Sequence, residues 1–129
     1  MVTMEEQGRL CKQASYQLAQ LPTEKKNEAL QCMASLLWEK RESILEANKK
    51  DVEAARLSGR SESFIDRLSL DEQRLAAICE GVRQVASLPD PCGHILEEWD
   101  RGELHLVKRS VPFGVIGIIY EARPNVSVD

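Results

Sequence analysis

The sequence has no apolar run long enough to cross a bilayer. Its longest is Val111 to Tyr120, whereas a spanning helix needs about 20 residues, so no membrane association is expected. It has no excess of basic charge: 17 Lys and Arg stand against 21 Asp and Glu, a net charge of −4. Phosphate binding needs a basic surface, so a general nucleic-acid binder is not expected. It has no C-x-x-C pair. Cys11, Cys32, Cys79 and Cys92 are 21, 47 and 13 positions apart, which matches no zinc or redox motif. The opening MVTMEEQGRL has two acids and no apolar h-region, so no secretory signal is expected. Four reduced thiols in a reducing compartment are therefore expected, three of them on helices as small hydrophobes. Histidine is scarce: His94 and His105 lie eleven positions apart with no acidic partner at metal-ligand spacing, so no metal site is expected. There is no internal repeat and no low-complexity linker.

What is present is an ordinary folded composition. In 129 residues, 43% are hydrophobic and 29% charged, which excludes a disordered tail and sets the scale at one domain or less. Charge divides the chain unevenly. Residues 1–50 and 101–129 each carry a net of +1, while residues 51–100 carry −6 and no lysine. The acidic middle reads as a solvated helical face.

Residues up to about 88 read as helix. Leu10, Ala14, Leu18 and Leu21 form one apolar stripe, which Pro22 ends. Thr23 is a candidate N-cap for a second helix carrying Leu30, Met33, Leu37, Ile44 and Leu45. That helix either runs to about Ala47 or restarts near Asn48, where a short helix, 49–58, would stop at Gly59. Ser69 and Glu72 have capping-box spacing ahead of Leu75, Ile78, Val82 and Val85, and Leu88-Pro89 terminates that helix.

The period then shortens to two. Residues 94–99 and 103–109 flank Asp100-Arg101-Gly102 and read as a hairpin with one solvated face. Trp99 is expected to pack or to sit at an interface. Residues 115–119 are apolar except for Gly117, the pattern of a strand buried on both faces in a parallel sheet. Gly114 and Gly117 form only G-x-x-G, not the dinucleotide fingerprint, and within a strand read as close packing or a bulge. Parallel strands need crossover partners, and the sequence ends nine residues after Tyr120. The expectation is an α/β protein of which this chain holds only the beginning.

Ligands of open α/β sheets gather at the carboxyl ends of strands, which directs attention to Tyr120-Glu121-Ala122-Arg123-Pro124-Asn125. Pro124 suits a loop or a first helical turn. Arginine can pair with a phosphate or carboxylate, and an asparagine amide can donate to an oxyanion. Spacing alone favours Arg123 as a solvated loop residue and Asn125 as a plain helix cap.

The run VPFGVIGIIYEARPNVSVD resembles the segment that opens the cofactor domain in the γ-glutamyl phosphate reductase (glutamate-5-semialdehyde dehydrogenase) family of the aldehyde dehydrogenase superfamily. EKKNEAL, ILEANKKDVEAA, IDRLSL and GVRQVASLPDPCG resemble further family segments in the same order, so the resemblance covers nearly the whole chain. It implies an aldehyde-dehydrogenase-like fold. Residues 1–92 would form a helical N-terminal region, 93–110 a β-hairpin making oligomer contacts, and 111–129 the first strand of an incomplete parallel NADP-binding sheet. It implies NADPH-dependent reduction of L-glutamyl 5-phosphate to glutamate 5-semialdehyde, in proline biosynthesis in the cytoplasm, by a cysteine thiolate that displaces phosphate. It further implies homo-oligomers and association with glutamate 5-kinase. By motif, Asn125 matches an oxyanion-binding asparagine, the backbone of Tyr120, Glu121, Ala122 and Pro124 the loop beside the cofactor, and Arg123 a position near anionic substrate or cofactor. None of the four cysteines matches the family's nucleophile, which lies further along, so residues 1–129 alone are expected to be inactive. The competing expectation is a non-catalytic helical interaction or oligomerisation module whose exposed strand docks on a partner. Another aldehyde-dehydrogenase-like enzyme acting on a different acyl group is disfavoured by the Glu121 to Asn125 run.

Overall fold

Residues 2–129 are described in a computed structural model. The elements in chain order are α1 (Met4–Leu18), α2 (Thr23–Glu39), α3 (Arg41–Leu57), α4 (Glu62–Leu68), α5 (Glu72–Ser87), β1 (Ile95–Arg101), β2 (Leu104–Arg109) and a 3₁₀ turn (Pro124–Ser127). They divide into two compact units, each discontinuous in sequence. One joins the segment ending at Thr23 to residues 89–117, and the other joins residues 24–88 to 118–129.

Among the described residues, every buried one lies in the second unit. Ala34 of α2 meets Cys79 and Val82 of α5, and Leu30, Met33, Leu37 and Val128 cover them. The buried face of α5 is Leu75, Cys79, Val82 and Ala86, a helical 4-3-4 spacing one step off the stripe read from sequence. Leu75 and Val82 are on it, Ile78 is half-buried, and Val85 faces solvent.

Helix boundaries are set by local chemistry that the apolar pattern does not reveal. The second helix breaks at Lys40, and α3 runs through Asn48 rather than starting there. Asn48 is buried, and its amide donates to Leu68 O at 2.8 Å while its oxygen accepts from Leu70 N at 2.7 Å. A residue type that caps helices thus joins α3 to the α4–α5 connection. Gly59 does end α3: at φ +74 its N–H bonds Arg56 O, and Arg60 N–H bonds Ala55 O. That pair of bonds is a Schellman closure, which needs the left-handed conformation glycine adopts cheaply.

Two expected caps fall elsewhere. Thr23 is already the first residue of α2, and its hydroxyl donates to Asp90 at 3.0 Å. Ser69 closes α4 by donating to Ile65 O at 2.7 Å, and Asp71 caps α5 by accepting from Arg74 N at 2.6 Å. A carboxylate one residue from the helix outcompetes a hydroxyl three residues away. α4 has no counterpart in the sequence reading, because seven residues are too few to show a helical period.

In the first unit, Thr3 caps α1 by accepting from Glu6 N at 3.1 Å, yet α1 buries no residue. β1 and β2 pair antiparallel, with an irregularity between Ile95 and Glu97. The turn is Gly102-Glu103, one residue later than expected, because the register pairs Arg101 with Leu104 and places Gly102 at φ +65. Both faces of the hairpin are exposed, with only Leu106 half-buried. Ser110 closes its base, accepting from His94 N at 3.0 Å and donating to Pro91 O at 2.6 Å.

The expected strand at 115–119 does not form. Residues 111–120 are exposed and carry no strand hydrogen bonding. β1 and β2 are the only strands among the described residues and are paired with each other, so this segment has no ladder partner. The thiols also depart from expectation. All four are free, but only Cys79 is a core residue; Cys92 is half-buried, and Cys11 and Cys32 are exposed although both lie on helices.

Candidate functional site

The segment from Tyr120 to Asp129 is held at three points within the second unit. The hydroxyls of Tyr120 and Ser127 hydrogen-bond each other. Glu121 pairs with Arg60 at 3.5 Å, and the Arg60 guanidinium lies 4.7 Å over the Phe64 ring. Val128 packs on the Ala34–Cys79–Val82 core. Between these anchors, Ala122 takes a left-handed φ of +54, a conformation that non-glycine residues adopt at a cost and that folded surroundings must hold.

Pro124 opens the 3₁₀ turn, where its missing N–H is harmless. Arg123 precedes it as the cap position without a side-chain capping bond. Asn125 is therefore not a helix cap. Its amide donates to Asp129 at 2.9 Å, and its carbonyl accepts from the N–H groups of Val128 and Asp129. The backbone bonds fix the amide's position, and one of its two side-chain N–H bonds is left for another acceptor.

Asn125 borders two cavities. One, of about 410 Å³, is lined by Arg123, Pro124 and Asn125 together with Asp66, Arg67, Ser69 and Arg74 of the α4–α5 region. The other, of about 430 Å³, is mainly apolar, with Leu30, Met33, Ile78, Val82 and Val128 in its wall. An amide donor thus stands where a charged cavity and an apolar one share a wall. Of the residues singled out from sequence, Arg123, Pro124 and Asn125 come together at the charged cavity. Tyr120, Glu121 and Ala122 are not among its lining residues.

As cavity residues, Asp66, Arg67, Ser69 and Arg74 escaped the sequence reading, which took Ser69 only as a cap. They lie some 50 to 60 positions before Asn125: Asp66 and Arg67 are on α4, too short to show a period, Ser69 follows it, and Arg74 is on the polar side of the first turn of α5. The signal available was the IDRLSL run, which contains three of the four. Arg74 donates to Asp66 O at 2.6 Å, Ser69 O at 2.8 Å and Asp66 Oδ1 at 2.7 Å. The bond to Asp66 and the charges of Asp66 and Asp71 hold the guanidinium above its usual pKa, so it stays a cation. Elsewhere, His105 pairs with Asp100 across the hairpin at 2.8 Å, and the His94 ring meets Asp90 O. Both contacts are local ties of the first unit.

No family model matches the chain. Its relatives and structural neighbours agree nonetheless. A protein of Yersinia enterocolitica is 53% identical over 131 aligned residues, covering 100% of this chain and 31% of the relative. One from Serratia proteamaculans is 54% identical over 128, covering 98% and 30%. A crystal structure from Thermotoga maritima superposes with a TM-score of 0.92 at 41% identity, over 95% of this chain and 30% of its own. One from Saccharomyces cerevisiae gives 0.91 at 27%, over 99% and 33%. The helices and antiparallel hairpin thus have the layout found in the N-terminal part of a much longer protein. All four of these proteins are named gamma-glutamyl phosphate reductase, and by sequence and fold the chain is a homologue of that family's N-terminal portion. It spans less than a third of the length of the curated relatives it matches.

Proposed function

We propose that this chain serves in an NADPH-dependent reductase that converts L-glutamyl 5-phosphate to glutamate 5-semialdehyde and phosphate in proline biosynthesis. The observation that carries this is the end-to-end identity of 53% with a gamma-glutamyl phosphate reductase, combined with an anchored Asn125 bordering a charged cavity. The same likeness runs through the helices, the hairpin and the 111–129 segment alike, which does not favour a stand-alone interaction module.

Asn125 is assigned to the carbonyl of the acyl phosphate, whose oxygen gains negative charge when it is attacked. An amide N–H already in place stabilises that charge without reorganising. Asp129, accepting from the other N–H of the same Nδ2, holds it in orientation. The backbone of Tyr120, Glu121, Ala122 and Pro124 is assigned to one edge of the nicotinamide cofactor, Pro124 through its carbonyl alone, and the left-handed turn at Ala122 re-aims that backbone. NADPH, when bound, supplies hydride. Arg123 is assigned to an anion of the substrate. The nucleophilic thiolate is assigned outside these 129 residues, since none of Cys11, Cys32, Cys79 and Cys92 lines the charged cavity. The hairpin at 93–110, exposed on both faces, is assigned to contacts between copies of the full-length enzyme, with glutamate 5-kinase as a further partner in the cytoplasm.

The test is Asn125→Ala in the full-length enzyme, assayed by NADP⁺- and phosphate-dependent oxidation of glutamate 5-semialdehyde. Loss of one oxyanion donor is expected to lower kcat about 10²–10³-fold. An unaltered enzyme that is folded but inactive with this aldehyde would overturn the reading, and a variant with full kcat would remove Asn125 from it.

A further inference from the structure

We propose that Arg67, acting with Arg123, binds an anionic group of the acyl phosphate substrate in the cavity that Asn125 borders. This rests on the reductase reading and adds a substrate-binding residue to it. Three guanidinium groups and one carboxylate line the cavity, an excess of two positive charges. The excess arises within an acidic chain: Arg67 and Arg74 both come from the stretch 51–100, whose net charge is −6. The cations are gathered at one cavity and are not part of a generally basic surface.

The three arginines are not equivalent. Arg74 is committed, with three short bonds to Asp66 and Ser69. The same bonds occupy Asp66, the only acid lining the cavity. Arg67 uses Nε alone, donating to Ser63 O at 3.2 Å, and makes no other hydrogen bond or ion pair among the described residues. The Arg123 guanidinium makes none there. Two guanidinium groups therefore line the cavity without an anionic partner, each offering the planar fork that suits carboxylate and phosphate.

The backbone beneath Arg67 is fixed, as a binding residue requires. Ile65, two residues earlier, is buried at 3% exposure. Asn48 holds Leu68 and Leu70 just beyond it. The proposed substrate carries an anion at each end, a phosphate on the acyl carbon and a carboxylate on the α-carbon. With the carbonyl at Asn125, either end is a candidate for Arg67, and both are recognised by the same fork.

The experiment uses the full-length enzyme, assayed by oxidation of glutamate 5-semialdehyde with NADP⁺ and phosphate. In Arg67→Gln, KM for phosphate or KM for the semialdehyde is expected to rise about ten- to a hundred-fold, the loss of charged hydrogen bonds, with kcat within about twofold. A rise for phosphate places the phosphate at Arg67; a rise for the aldehyde places the α-carboxylate there. Arg67→Lys is expected to recover part of the loss, since it keeps the charge but not the fork. Arg83→Gln on the exposed face of α5 is expected to change neither constant. Thermal unfolding of each variant checks that it is folded. Both KM values within about twofold of the unaltered enzyme would overturn the inference, as would a loss of kcat alone. Inactivity of the folded unaltered enzyme would overturn the reductase reading, and this inference with it.

Discussion

Asn48 shows how one residue type is decided by its surroundings. In the sequence it stands where a helix cap is wanted; in the fold it is an interior residue of α3 satisfying Leu68 O and Leu70 N. Asn48→Ala leaves a part-buried acceptor, Leu68 O, and a part-buried donor, Leu70 N, without these partners. The expected cost is about 2–4 kcal/mol, read as a lower urea midpoint at unchanged m-value. Asp71 differs, because its effect stops at the first turn of α5. Asp71→Ala is expected to cost about 1 kcal/mol, and Ser69→Ala to leave the start of α5 intact, measured by the same unfolding curves. No loss from Asp71→Ala would remove Asp71 as the cap. Capping-box spacing gave the right helix but the wrong residue, since hydroxyl and carboxylate both cap and only geometry selects.

At the level of elements, periodicity located α1, α5 and the hairpin but could not count helices. Leu30 to Leu45 reads as one continuous face, whereas the chain folds it into two helices separated by Lys40. Apolar period is the same on either side of such a break, so only contacts reveal it. The 111–120 segment presents the opposite case. Its composition calls for burial on both faces, yet Phe113 is 95% exposed and Ile119 fully so. A contiguous exposed apolar segment with unpaired backbone groups promotes association. Residues 1–129 are therefore expected to self-associate, and Ile116→Lys with Ile119→Lys to raise the monomer fraction in size-exclusion chromatography with light scattering. An unaltered chain that runs as a sharp monomer at high concentration would contradict this.

For the whole molecule, the unequal division of burial matters most. Among the described residues, the second unit holds all the buried ones, while α1 and the hairpin of the first bury none. Under the proposed function, residues 1–129 supply the Asn125 donor and the arginine-lined cavity but not the thiolate. The isolated 129 residues are expected to give no NADPH-dependent turnover of glutamyl phosphate. Turnover above a buffer control would show that one of the four cysteines present can act as the nucleophile.

The sequence by itself determined the helical content, the hairpin, the absence of any helix able to cross a membrane among the described residues, and the resemblance borne by IYEARPNV. Each of these is local, expressed in the period, turn chemistry or order of neighbouring residues. Only the tertiary structure decided that Asn48 is a buried connector, that Cys79 alone of the thiols is core, and that Arg67 and Arg74 meet Arg123 and Asn125 at one cavity. Those facts join residues about 20 to 60 positions apart. No spacing rule relates such residues, because their proximity is set by how α3, α4 and α5 pack and where Val128 anchors the final turn.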